Sequence, residues 1–265
     1  MERVQWFELE DLPWVPRFIR DGGTDLLDLG FSVFGFYRPV AHALVSLLDA
    51  TGSSHIVDLC SGGGGGALAM RKELLSRGVS GLQWSLSDRY PNLAAIERVR
   101  ALADPSVHYI DEPVDALEPR PALRGVRTMF GALHHFEPEQ VRELVAANVA
   151  ARAPIAFFDV AASPALRKMP SLVAPIALTM NMSMLFTASL ALVPFVRPFR
   201  LSRLAATYLV PLVPALVAWD GTVSALRAYT PDELLGFARS VPGGDGYRWA
   251  ADRAGPALYL TGIPS

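Results

Sequence analysis

Residues 55–70 read HIVDLCSGGGGGALAM, with five consecutive glycines, Gly62 to Gly66, directly after a short apolar run that carries an acid near its end. Glycine loses more backbone freedom on folding than any other residue, so such a run belongs neither mid-helix nor mid-strand. A strand–turn–helix junction resolves the problem. Without Cβ atoms the turn admits close approach of a ligand to the backbone, and the following helix presents unpaired N–H groups at its start. A flexible loop or tight helix–strand packing is the plainer alternative.

The surrounding pattern supports the junction. Helical spacing over 41–50, 66–78, 92–103 and 137–151 alternates with β-like runs at 55–60, 82–88, 107–110, 126–133 and 153–161. Strands separated by helices imply right-handed crossovers and a mostly parallel sheet. The runs 247–253 and 257–263 are separated only by Ala254, Gly255 and Pro256, a gap that suits a hairpin. The expected fold is therefore α/β: a Rossmann-like, mostly parallel seven-stranded sheet finished by a C-terminal antiparallel hairpin and carrying an apolar helical insert. In such sheets ligands bind beyond the carboxyl ends of the strands.

The class of ligand follows from what surrounds the glycines. A triphosphate-gripping loop needs a Gly-Lys-Ser/Thr ending, and here the run ends Gly-Ala-Leu. Asp58-Leu59-Cys60-Ser61-Gly62-Gly63-Gly64 instead resembles the first motif of class I S-adenosylmethionine-dependent methyltransferases, an acid-Leu-Gly-x-Gly-x-Gly pattern in which Cys60 here replaces the first glycine. The resemblance covers roughly residues 40–160 and 229–265. It implies S-adenosyl-L-methionine as cofactor, held around Asp58, Cys60, Ser61, Gly62 and Gly64. By the same resemblance Asp88, with Arg89 beside it, sits where the family's acid binds the ribose hydroxyls, and Asp115-Ala116 where a carboxylate accepts from the adenine amino group. The stretch GALHHF (131–136), including Ala132, resembles the end of the fourth strand in small-molecule members. Taken alone, Asp88 also suits a helix N-cap and Asp115 a turn.

For proton removal from an acceptor, His134 and His135 stand at the end of that strand. Successive strand residues point to opposite sides, so His135 is taken as the base and His134 as structural or cofactor-facing; both merely lining the site is the alternative. Tyr37 is the candidate in an N-terminal extension to touch the methionine moiety. The domain reading is an extension or lid over 1–40 and a methyltransferase domain over 41–265, with 163–228 a hydrophobic substrate cap.

That insert holds residues 169–196 without a charge and a second apolar run at 204–219. Its prolines, and a far side that would carry Arg197, Arg200 and Arg203, argue against full membrane spanning. A cap this apolar suggests a hydrophobic acceptor, a homodimer interface or shallow membrane contact, with core packing as the bland alternative. Asp220 and Arg227 interrupt it, either paired with one another or gripping a polar group of the substrate. The formal charge of −2 excludes a general nucleic-acid binder. The single cysteine excludes a disulfide framework and a Cys-rich metal site, and the acid-bearing start is unlike a secretory signal, so a cytoplasmic protein is expected, with membrane association as the alternative. The leading function is methyl transfer to a small, hydrophobic or amphipathic acceptor. The alternatives are intramolecular cyclisation of the same cofactor and a catalytically silent membrane-associated binding protein.

Overall fold

The computed structural model describes residues 3–118, 123–160, 169–170 and 172–265. Contacts group the chain into two compact units: Phe34–Val160 with Thr230–Ser265, and Met1–Val33 with Ala161–Tyr229. The N-terminal segment and the apolar insert, read from the sequence as separate pieces, thus belong to one unit. Tyr37 falls in the other. Residues 163–168 of the expected insert, and Ala161 at the expected end of the fifth strand, lie outside the described residues.

The first unit is built on a seven-stranded sheet in the order β3-β2-β1-β4-β5-β7-β6. Its strands are β1 (His55–Leu59), β2 (Gln83–Leu86), β3 (Val107–Tyr109), β4 (Val126–Phe130), β5 (Ile155–Asp159), β6 (Tyr247–Ala254) and β7 (Ala257–Pro264). The first five are parallel, and β7 pairs antiparallel with both β5 and β6. Only Gly255 and Pro256 form the hairpin turn, because Ala254 already pairs with Ala257. Gly255, at φ 59°, takes the first central position, where a left-handed residue is required. β4 and β5 are buried along their whole length, as expected for strands covered on both faces.

The helices of this unit are α2 (Ala41–Thr51), α3 (Gly65–Ser76), α4 (Leu93–Ala101), α5 (Pro138–Ala150) and α9 (Pro231–Ser240). Their ends follow from local chemistry. Pro138 opens α5 behind a reciprocal Glu137–Gln140 cap, and α9 begins with Pro231 behind the same device made by Thr230 and Glu233. Helix α3 stops where Gly78 adopts φ 82° and Val79 N–H donates to the Leu74 carbonyl. β1 lies between β2 and β4, so the strand order reverses direction at the β1/β4 pair, and the glycine turn emerges at that switch point.

In the second unit, α1 (Arg17–Phe34), α6 (Ala174–Leu192), α7 (Leu201–Tyr208) and α8 (Leu212–Arg227) are the described helices. The sequence suggests turns around residues 11–25, yet Gly22 and Gly23 sit inside α1. A Cβ on Gly22 would come within 2.8 Å of Val213 Cγ2, and one on Gly23 within 2.8 Å of Leu216 Cδ2. The two glycines therefore let α1 approach α8 closely, and packing outweighs their low helix propensity. Gly221 repeats the device, with Leu185 Cδ1 at 2.8 Å from its built Cβ.

Asp220 and Arg227 do not pair with one another among the described contacts. Asp220 accepts the Leu9 and Glu10 N–H groups at 2.6 and 3.1 Å. Arg227 Nη1 lies 3.1 Å from Glu8 Oε1, and its guanidinium also donates to the Trp6 carbonyl. Both side chains fasten the N-terminal segment to α8. Arg203, read from the sequence as a positive charge at the far side of a hairpin, is buried and donates to Asp25 at 2.7 Å.

The contrast between packed and open helical glycines gives a direct test. Gly236, in α9, has open space where a Cβ would stand. Gly236→Ala is expected to stabilise the protein by roughly 0.5–1 kcal/mol, and Gly22→Val to destabilise it by roughly 1–3 kcal/mol, in denaturant melts.

Candidate functional site

β1 delivers the Asp58 side chain into the buried interior at its carboxyl end. Asp58 Oδ2 accepts from the Ser61 hydroxyl at 2.6 Å and Oδ1 from the Thr128 hydroxyl of β4 at 2.8 Å, while its backbone carbonyl accepts from Ser87 N–H at 2.8 Å and the Ser87 hydroxyl at 2.7 Å. Burial pushes its carboxyl up to about 7, against the lowering effect of the two hydroxyls.

Beyond Asp58 the chain turns sharply. Cys60 adopts φ 54° and Gly62 φ 51°, and Gly64 follows at φ 82° as the N-cap of α3. A left-handed conformation is cheap for glycine and strained for cysteine. Cys60 thus takes, at a cost, a conformation that glycine would adopt freely. Burial, with Asp88, Asp58 and Asp115 adding to it, pushes the thiol up, so it stays protonated and unreactive at neutral pH.

The glycines have distinct tasks. A Cβ on Gly62 would meet nothing within 4 Å, whereas on Gly64 it would stand 2.9 Å from Leu86 Cδ2 and on Gly66 2.5 Å from Phe130 Cβ. Gly62 leaves open space beside the turn, and the other two seat α3 against β2 and β4. Since α3 begins at Gly65, the last two glycines of the run form its first turn.

Asp88 Oδ2 accepts the Gly62 N–H at 2.8 Å, and Oδ1 accepts that of Tyr90 at 2.8 Å. The helix that follows is capped by Asn92, which removes the N-cap reading for Asp88. Burial raises the Asp88 carboxyl despite these backbone donors. Val114 N–H donates to the Asp88 carbonyl at 2.8 Å, bringing Asp115 and Ala116 alongside. Asp115 forms a turn by accepting from Leu117 N–H at 2.9 Å, and its other oxygen lies 3.5 Å from Arg89 Nη1. Tyr109, which the sequence reading did not single out, donates its hydroxyl to the Gly62 carbonyl at 2.9 Å. Asp58 meets the turn through Ser61 and Asp88 through the Gly62 N–H, and the Val114–Asp88 backbone bond brings Asp115 beside Asp88.

Tyr37 is buried, edge-on to Phe130 with ring centroids 5.1 Å apart; Phe130 in turn stacks on Phe158 at 5.0 Å. Burial raises the phenol well above its ordinary value, followed by the charges of Asp159 and Asp58. The predicted Tyr37 therefore shares the neighbourhood of the turn.

β4 ends at Phe130, and Leu133–His135 form a 3-10 turn after Ala132, so the strand alternation expected for the histidines does not apply. Their rings lie face to face instead, 4.4 Å apart and tilted by 32°. Asp159, at the end of β5, accepts the His134 backbone N–H at 2.9 Å and lies 2.9 Å from its Nδ1. The sequence reading missed Asp159; its position as the last residue of the fifth strand was the available signal. The carboxylate beside Nδ1 orients the His134 ring.

Together these groups form an open, glycine-walled turn ringed by carboxylates. Such a site disfavours phosphate and suits a ligand bearing hydroxyl or amino donors and positive charge.

No family model matches the sequence, and no curated protein does. Solved structures do share the fold. The plantazolicin methyltransferase BpumL in complex with SAH aligns over 95% of this chain and 92% of its own at 10% identity, TM-score 0.58. Human N-acetylserotonin methyltransferase in complex with SAM aligns over 96% of this chain and 61% of its own at 14% identity, TM-score 0.51. An O-methyltransferase family protein from Burkholderia thailandensis aligns over 90% and 58% at 13% identity, TM-score 0.51. The chain therefore spans less than two thirds of the length of the last two. The methyltransferase-like arrangement of strands and helices is common to all of them.

The strain at Cys60 is measurable. Cys60→Gly is expected to raise unfolding free energy by about 1 kcal/mol, because the left-handed residue no longer carries a Cβ. Cys60→Val, β-branched at the same φ, is expected to lower it by more than that; equal stability for all three would contradict the reading.

Proposed function

We propose that the protein is an S-adenosyl-L-methionine-dependent methyltransferase acting on a small, hydrophobic acceptor. The observation that carries this reading is a glycine turn with open space at Gly62, held by Asp58 through Ser61 and by Asp88 through the Gly62 N–H, with Asp115 brought beside Asp88 by the Val114 backbone bond. The fold shared with structures solved with SAM or SAH agrees with it.

In this reading Asp88 serves the ribose hydroxyls and Asp115 the adenine amino group. Each carboxylate has about four lone-pair sites, so the hydrogen bonds already made leave capacity for a ligand. Asp58, with Ser61 and Thr128, holds the turn and supplies negative charge. When bound, the cofactor supplies a methyl group on a positively charged sulfur, an electrophile that needs no further activation. The protein's part is then alignment, exclusion of water and removal of a proton. The buried aromatic group of Tyr37, Phe130 and Phe158 keeps the neighbourhood of the turn dry.

The His134–Asp159 pairing favours His134 over His135 as the general base. Asp159 holds the ring and stabilises the imidazolium that forms as the ring takes the acceptor's proton. The second unit, by itself, carries an apolar groove of about 780 Å³ lined by Phe7, Leu9, Met182, Phe186, Ala215 and Trp219 among others. That volume lies in the range of small-molecule sites. Nothing in the lining supplies a charge, which fits an apolar acceptor.

Saturation with S-adenosylmethionine at ~100 times its dissociation constant is expected to add about 2.7 kcal/mol of stability; no shift with it or with S-adenosylhomocysteine would refute the assignment. The pH dependence has a definite sign. A carboxyl raised from 3.8 to about 7 holds a proton in the folded state that the unfolded state has lost. Asp58 therefore lowers stability progressively as pH rises from about 4 to about 7. A cation beside Asp58 favours its ionised form, so near pH 6.5 cofactor binding should release protons and tighten as pH rises. Calorimetry in buffers of different ionisation enthalpy reads this release, which Asp58→Asn should abolish.

For the chemical step, His134→Ala is expected to lower kcat by about 10²–10⁴-fold and Asp159→Asn to shift its pH profile, with His135→Ala within a few-fold of wild type. Release of methylthioadenosine in place of S-adenosylhomocysteine would redirect the assignment to cyclisation.

A further inference from the structure

Helix α6 is clothed in apolar side chains that the protein leaves uncovered. Of its 19 residues only Ala174 and Ser189 are buried. Ile176, Met180 and Met184, at successive i+4 positions, are 62%, 68% and 59% exposed. Residues 172–196 carry no charge, and Ala174–Phe195, 22 residues, is long and apolar enough to cross a membrane. Further apolar residues are exposed after α6: Phe195, Phe199 and Leu201 leading into α7, and Tyr208, Leu209 and Val210 leading out of it.

We propose that this surface docks on a lipid bilayer, with the outer face of α6 immersed in one leaflet and the 195–201 and 208–212 segments at its flanks. Two of the hydroxyls exposed on α6 are suited to hydrocarbon. Thr179 and Thr187 donate to the carbonyls of Pro175 and Ser183 at 2.9 and 2.8 Å, so these hydroxyls are satisfied by the helix itself. A protein partner would ordinarily meet hydrogen-bonding groups about every 100–200 Å² and a polar rim. The exposed side chains of Leu172–Met184 supply only hydroxyls. That favours lipid over a second copy of the chain.

The segment bearing Phe195 and Phe199 is also braced. Buried Arg203 donates to the carbonyls of Val196 and Pro198 at 2.9 and 2.6 Å while paired with Asp25. This grip turns the backbone polar groups inward and leaves the two aromatic rings and Arg197 outward, a composition suited to the headgroup level. The other side of α6 packs on α8, where Asn181 donates to Thr222 at 2.9 Å, and α8 continues into Asp220 and Arg227 with their Glu8 and Asp11 neighbours. Those charged groups make encirclement of α6 by lipid costly, so the helix lies in one leaflet and does not span. The docking is independent of the catalytic reading.

The test is flotation of the full chain with phosphatidylcholine vesicles at about 0.5 M salt, where charge attraction is screened. The wild type is expected to float with the vesicles, and the Met180→Glu/Met184→Glu double variant to lose at least about tenfold in partitioning with unchanged circular dichroism and melting. Leu75→Glu, at an exposed position of the sheet-bearing unit, is the control expected to float normally. Flotation of the double variant at wild-type levels would overturn the proposal. So would a wild type that stays with the soluble fraction, whether as a monomer or as a dimer in light scattering that the double variant dissociates.

Discussion

The Asp58 carboxylate closes the end of β1 with hydrogen bonds from Ser61 and Thr128, while its backbone carbonyl takes both donors of Ser87. Three strands and the glycine turn meet at this one residue. Removing a carboxylate from water is expensive, and the two hydroxyls only partly offset that cost, which is why its proton affinity rises into the neutral range. A buried acid held in this state is a poor way to stabilise a fold. It is well suited to a site where a positive charge arrives later.

The turn shows how the same constraint propagates. Asp88 and Tyr109 both clamp Gly62, one through its N–H and the other through its carbonyl. Their grip overrides the unfavourable left-handed backbone of Cys60. The strain is tolerated because neighbouring interactions fix every adjacent peptide. Held in this way, the five glycines are divided between a bend and the first turn of α3, and they are ordered by their surroundings in spite of a composition that favours disorder.

The two units differ in how they manage polar groups. In the sheet-bearing unit, buried acids gather round an open turn and a His–Asp pair stands at the ends of β4 and β5. In the helical unit, buried ions are spent on structure: Arg203 with Asp25, Arg227 with Glu8, Asp220 with backbone N–H groups. Arg203, Asp220 and Arg227, which interrupt its apolar sequence, are internal fasteners, and the uncovered side chains of α6 carry no charge.

The amino-acid sequence by itself determined the α/β class, the parallel core and terminal hairpin and the glycine turn, because strand and helix periods and the conformational demands of glycine are local properties; Asp88 and Asp115 were reached through the resemblance to a methyltransferase motif. It did not determine that Gly22 and Gly23 lie inside a helix, since only the approach of Val213 and Leu216 makes a missing Cβ favourable there. Nor did it reveal the Asp159 partner of His134 or the attachment of Asp220 and Arg227 to residues 6–11, which join positions 25 and more than 200 residues apart. Tertiary structure decided those pairings because a buried charge takes whatever partner the fold brings within reach, and that distance is not written in sequence separation.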